Sequence, residues 1–118
     1  MANYDLSPLS EIDGYVAAAL VDADSGMLMN QHGDAPFPLE LASAGNTEVL
    51  KAKRKTMSSL KLQEPIEDML ITLDSQYHVI RPTGKNANVF LYVVLSRAKS
   101  NLAMARHIIR EFESVTSL

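Results

Sequence analysis

The sequence predicts an α+β fold in which a central five-stranded antiparallel sheet carries helices on its faces. The expected order is helix, strand, strand, helix, strand, strand, strand, helix. Three observations lead there. Two groups of short apolar, β-branched or aromatic runs are joined within each group by tight turns, which fit antiparallel pairing. A long helical pattern from Pro38 to about Leu60 separates the groups. The last segment repeats apolar residues at three- and four-residue steps, as an amphipathic helix does.

Ser7-Pro8 opens the first helix, a serine cap followed by a proline whose missing N–H costs nothing in the first turn. Leu6, Leu9 and Ile12 follow at helical spacing and Gly14 closes the turn. Tyr15 to Asp22 is an unbroken apolar run, the pattern of a strand covered on both faces. Asp22-Ala23-Asp24-Ser25-Gly26 is hairpin chemistry, and Met27 to Gln31 returns as the second strand. His32 to Pro36 reads as loop.

In the long helix, Leu39, Leu50, Met57 and Leu60 lean one way. Ala42, Gly45, Val49 and Ala52 form a second line of small residues. A glycine inside a helix costs roughly 1 kcal/mol against alanine, so Gly45 asks for a reason, and close approach by another helix supplies one. Ile66 to Asp74 reads as the third strand, with Ile66, Asp68, Leu70 and Thr72 on one face. Asp74-Ser75-Gln76 turns the chain into a strand that Pro82 ends, and Thr83-Gly84-Lys85-Asn86 turns it again. Asn88 to Ser96 has the strongest strand composition in the chain. Ser100-Asn101 starts the final helix, in which Leu102, Ala105, Ile109 and Phe112 recur at three- and four-residue steps, Met104 and Ile108 widen the apolar face, and Arg106, Arg110 and Glu113 lie mostly opposite.

The 118 residues have the length of a single domain, residues 1–118, and 47% hydrophobic content is that of a chain with a core. A net charge of -3 argues against a nucleic-acid binder, which needs an electropositive face. The absence of cysteine excludes disulfides and thiolate chemistry and fits a cytoplasmic protein. The N-terminal Met1-Ala2-Asn3-Tyr4-Asp5 does not read as a signal peptide, and the longest apolar stretches are too short to insert in a membrane.

Each pattern that would carry catalysis or ligand binding fails on spacing or on a missing residue. His32, His78 and His107 fall on three different elements without a second ligand at a productive spacing. Counted from Asp22 as a calcium loop, Gly26 is fifth rather than sixth and Gly33 stands where a glutamate is needed. Gly84-Lys85 lacks the rest of a phosphate-binding loop, and Glu67 and Asp68 point to opposite faces of a strand. No catalytic residue, cofactor or metal ligand is therefore assigned. Lys51, Arg54 and Lys55 share one face of the long helix and suit an acidic partner surface.

The element order, together with particular residues, resembles the roadblock family of dynein light chains and prokaryotic GTPase regulators. The matching features are Gly14 to Asp22 followed by Asp24-Ser25-Gly26, the alanine-containing helix from Pro38, the strand around Ile66 to Leu73, and the strand ending at Ser96. The helix opened by Asn101-Leu102-Ala103 completes it, where family members often have Asn-Leu-Gly. The likeness runs from about Ile12 to Phe112. It implies a profilin-like roadblock sandwich and a homodimer or heterodimer in which the long helices pack together and the following strands pair edge to edge. Ala42, Gly45, Val49, Ala52, Ile66, Asp68, Leu70 and Thr72 are the expected interface. The alternative is that these helix residues pack on their own sheet. The resemblance further implies a non-catalytic regulator or adaptor that binds a Ras-like small GTPase or a motility or transport complex. A small-molecule sensor of similar topology and an uncharacterised enzyme are the other function classes.

Overall fold

A computed structural model describes residues 4–83 and 87–116 of the chain. Met1, Ala2 and Asn3, and the Gly84, Lys85 and Asn86 of the expected turn, lie outside the described residues. The elements are a 3-10 helix Ser7–Glu11, strands β1 (Tyr15–Asp22) and β2 (Leu28–Gly33), helix α1 (Leu39–Ser59) and strands β3 (Met69–Thr72), β4 (Gln76–Thr83) and β5 (Val89–Ser96). A second 3-10 turn, Arg97–Lys99, leads into helix α2 (Leu102–Thr116). The sheet runs β2-β1-β5-β4-β3 with every neighbouring pair antiparallel. The expected α+β architecture with a five-stranded antiparallel sheet is therefore the one observed.

β1 and β5 sit in the middle, which explains why both read as unbroken apolar runs. Ala18, Leu20, Leu91, Val93 and Leu95 face α2 and the first 3-10 helix, where Leu6, Leu9, Ile12, Ala105, Ile109 and Phe112 complete a core. Ala17, Ala19, Val21, Phe90, Tyr92 and Val94 face the opposite way and meet Leu39 and Leu50 of α1. The molecule is thus three layers, α1 on one face and α2 on the other. Each large apolar side chain buried in these layers contributes roughly 1.5–3 kcal/mol relative to exposure.

Several boundaries differ from expectation, each for a local reason. The first helix is 3-10, and Ser7 does not cap it; instead the Asp5 carboxylate accepts from the Ser7 N–H and hydroxyl, at 3.0 and 2.9 Å. β2 continues through His32 and Gly33, because Ala17 and Ala18 pair with them. β3 is only four residues long, so Ile66 to Asp68 precede it as an extended lead-in. Pro82 stays inside β4, paired with Phe90, rather than ending it. β3 reaches along β4 only as far as Ile80, so the side of Pro82 without an N–H has no strand to bond.

The β1–β2 turn and the cap of α2 are as expected. Asp22 Oδ1 accepts from the N–H of Asp24 and Ser25 at 2.8 and 3.3 Å, and Gly26 takes φ +78°. Those bonds hold the Asp22 carboxyl below its ordinary pKa, the Asp24 N–H contributing most. Asn101 Oδ1 accepts from the Met104 N–H at 3.0 Å and caps α2.

Candidate interaction surface

α1 turns an unusual face to the sheet. Its buried residues are Leu39, Ser43, Thr47 and Leu50, two of them hydroxyl-bearing. Ser43 donates to the Leu39 carbonyl at 2.7 Å and Thr47 to the Ser43 carbonyl at 2.8 Å, so each buried hydroxyl is satisfied within the helix. Two apolar side chains stay outside: Leu41 is 72% exposed and Val49 38%. Gly45 and Ala52 are exposed and Ala42 is half-buried. A Cβ at Gly45 would meet nothing within 4 Å beyond its chain neighbours and its own helix backbone. The small-residue line therefore does not pack on the chain's own sheet, apart from the inner side of Ala42.

The position of α1 shows which way that line faces. α1 lies over β1 and β2. Lys51 donates to the Asp24 carbonyl of the β1–β2 turn at 2.6 Å, and a Cβ at Gly26 would come within 3.4 Å of Ala44 and Thr47. The Lys51 flank thus faces the hairpin. At about 100° per residue Ala42 stands half a rotation from Lys51, which turns the Ala42 and Val49 flank toward β4 and β3.

Beyond that flank the sheet is only partly covered. Met69 and Ile71 on β3 and His78 on β4 are half-buried, and Ile66 packs at their margin. The Phe37 ring, just ahead of α1, lies 5.8 Å from the His78 ring. β3 is the last strand of the sheet, so among the described residues its outer backbone edge has no strand beside it.

The expected interface strand residues do not form one face. Leu70 and Thr72 pair with Val79 and Tyr77 and so lie on the α2 side of the sheet. Met69 and Ile71 pair with Ile80 and His78 and lie on the α1 side. Ile66 joins the α1 side, out of step with Leu70, because the alternation of a strand does not extend back past Met69. Asp68 is held inside the chain: Arg106 of α2 binds its carboxylate through Nε and Nη2, at 2.8 and 3.2 Å. Glu67 likewise receives Arg110 at 2.9 Å, and Arg81 meets Glu113 at 2.7 Å. What Leu70 and Thr72 share with the α1 line is the free β3 edge. Met69, Ile71, Phe37 and His78, missed in the sequence, are the residues that border the line; the alternation placed Met69 and Ile71 together but gave no reason to prefer their face.

The basic cluster is also partly consumed. Lys51 is tied to the hairpin, and Arg54 donates to the Ala87 carbonyl at 2.8 Å. Lys55 remains exposed. The three histidines are far apart in role: His32 Nδ1 lies 2.8 Å from the Tyr15 hydroxyl, His78 sits on β4, and His107 is exposed on α2. Among the described residues no three His, Cys, Asp or Glu side chains are grouped to hold a metal ion. No described helix is long and apolar enough to cross a membrane. A groove of about 550 Å³ between the end of α1 and residues 61–66 is lined by Arg54, Met57, Lys61, Ile66 and Pro82 and opens to solvent. It is not a closed pocket between helix and sheet.

No protein-family model matches the chain, and no curated protein matches it by sequence. Solved structures do match. A Roadblock/LC7 domain from Streptomyces avermitilis superposes with a TM-score of 0.79 at 16% identity, covering 92% of this chain and 87% of that one. The gliding protein MglB of Thermus thermophilus gives 0.80 at 13% identity, with coverage of 95% and 82%. An MglB with a tetrameric arrangement gives 0.80 at 14% identity, with the same coverage. At these identities the likeness establishes the fold: the chain has the roadblock/LC7 fold that the residue pattern resembles.

Proposed function

We propose that this domain is a non-catalytic adaptor that works as a dimer, a second copy of the chain covering the Ala42, Gly45, Val49 and Ala52 line of α1 and meeting the β3 edge. One observation carries the reading. The exposed small-residue line lies directly beside the open half of the sheet, and that half ends in an unpaired strand edge. A two-fold operation through the β3 edge would pair β3 with its copy antiparallel and continue the sheet, while the two α1 helices close over the half that each leaves open. Leu70 and Thr72 would then flank the seam on the α2 side, with Ile66, Met69 and Ile71 on the α1 side. An MglB has been solved in a tetrameric arrangement, which supports self-association of this fold.

The roadblock resemblance extends the reading to a partner: a Ras-like small GTPase or a motility or transport complex. The domain would act by surface contact, shifting an equilibrium of the partner rather than performing chemistry. Lys55, with the remaining charge of Lys51 and Arg54, is the basic contact for an acidic partner surface, and serves to speed association. The test has two arms. Sedimentation equilibrium should give twice the chain mass at micromolar concentration. Purified domain should then retain a host small GTPase in one nucleotide state in preference to the other. A chain that stays at monomer mass overturns the dimer. A dimer indifferent to every small GTPase in both states overturns the partner.

A further inference from the structure

His78 lies on the part of the α1 face that the second copy would cover, and its ring nitrogens are both engaged. Nε2 is 2.8 Å from Gln76 Oε1, and Nδ1 is 3.1 Å from the Tyr92 hydroxyl. A neutral ring carrying its proton on Nε2 satisfies both, donating to Gln76 and accepting from the Tyr92 O–H. A proton on Nδ1 would leave two donors facing each other until the Tyr92 hydroxyl turned. Tyr92 is 1% exposed, so that rearrangement happens inside the core. The Tyr92 ring stands edge-on to the imidazole at 5.4 Å, and the Phe37 ring is tilted against it at 5.8 Å.

Among the described residues the groups that face His78 carry no countercharge. β3 presents Ile71 and β5 presents Val94 and Tyr92; Phe37 comes from ahead of α1 and Gln76 from β4 itself. Tyr92 is the titratable one among them, and its hydroxyl is held above its ordinary pKa by burial, so it is neutral at physiological pH. The α1 flank that would close over the ring in a dimer carries Ala42, Gly45, Val49 and Ala52, with Lys53 the charged residue nearest in helical position. A lysine there opposes an imidazolium rather than balancing it.

We propose that His78 makes self-association of this domain pH-dependent, the dimer forming with the imidazole neutral and dissociating when it is protonated. The proposal rests on the dimer reading above and adds its regulation. The ring is already half-buried in the single chain, and that burial pushes its pKa below the ordinary histidine range. Covering it by a second copy removes more water and supplies no acid to compensate. The dimer therefore binds fewer protons than two monomers, and its dissociation constant rises as pH falls to and below the lowered pKa of His78 in the monomer. With one proton excluded per subunit, the limiting slope is about 100-fold per pH unit.

The experiment is sedimentation equilibrium of the full chain at several pH values between 8.0 and 5.0, with far-UV circular dichroism to confirm the fold at each. The expected result is a dissociation constant that rises at least about tenfold from pH 7.5 to 5.0 in the wild type and stays flat in His78→Gln. Ring-proton NMR of wild-type His78, in dilute and concentrated samples, should show a lower pKa in the concentrated one. This second arm decides if the variant does not fold or dimerise. A pH-independent wild-type constant, a variant that keeps the full pH dependence, or a His78 pKa unaffected by concentration overturns the proposal. A chain monomeric even at pH 8.0 overturns the dimer reading itself, a result distinct from all three.

Discussion

The two long helices cover opposite faces of one sheet and do so with opposite kinds of surface. α2 buries Ala105, Ile109 and Phe112 in the core and sends its arginines to partners within the chain, Arg106 to Asp68 and Arg110 to Glu67. Most of its apolar face is used, with Met104 and Val115 exposed at its margins, and Arg106 and Arg110 are paired. α1 buries two hydroxyls beside two leucines, while Leu41 and Val49 stand outside with Gly45 and Ala52. Most of α2 is explained by the chain it belongs to. Much of α1 is not, and the unexplained side lies next to half-open sheet and an unpaired strand edge. The difference teaches that sequence features foreign to the core of one chain point to a second.

The contrast can be broken by substitution. The largest effect is expected at Phe112→Ala, which empties part of the core beneath α2 and should cost about 3–5 kcal/mol in denaturant unfolding. Trimming Val49→Ala on the outer side of α1 should change the stability of the monomer by under about 0.5 kcal/mol; a loss as large as that at Phe112 would mean the flank is packed within its own chain. Next comes Arg106→Ala, which leaves the Asp68 carboxylate, only 11% exposed, without its guanidinium. About 1–3 kcal/mol should be lost, with hydrogen exchange quickening first in β3, which follows Asp68 directly.

Gly26→Ala should cost about 1–2 kcal/mol, because the turn requires a left-handed residue there, and the loosened hairpin should free Lys51 on α1. Among the buried or strained positions the smallest effect belongs to Ser43→Ala, which removes a buried hydroxyl together with a bond that its Leu39 acceptor can forgo. A change within about 1 kcal/mol is expected by thermal unfolding. A much larger loss would mean that the hydroxyl holds α1 to the sheet.

The same contrast marks what was legible in the sequence. β1 and β5 were readable almost to the residue, since both faces are buried and composition alone identifies them. The face of α2 was readable because its apolar residues fall in one phase. α1 was readable as a helix but not as a packed surface: its inward residues include Ser43 and Thr47, which no hydrophobic pattern selects. β3 was read too long, because Ile66 and Asp68 alternate like strand residues while doing different work, one in the α1-side core and one on Arg106. Such cross-chain pairs join residues 38 and 43 positions apart, beyond any local rule. Of the candidate surface, the Ala42, Gly45, Val49 and Ala52 line was legible as small residues at helical steps. The part of the sheet beside it, with His78 and Phe37, was not, since the register that brings β4 and α1's approach together is a property of the folded sheet.

The central claim is that the outer side of α1 is built for a second copy, and Gly45→Leu tests it most directly. The position is open in the single chain, and replacing glycine with a better helix former should hold or raise monomer stability, by up to about 1 kcal/mol. Light scattering should therefore show a folded protein whose mass falls from dimer to monomer. A Gly45→Leu protein that keeps the dimer mass would contradict the account.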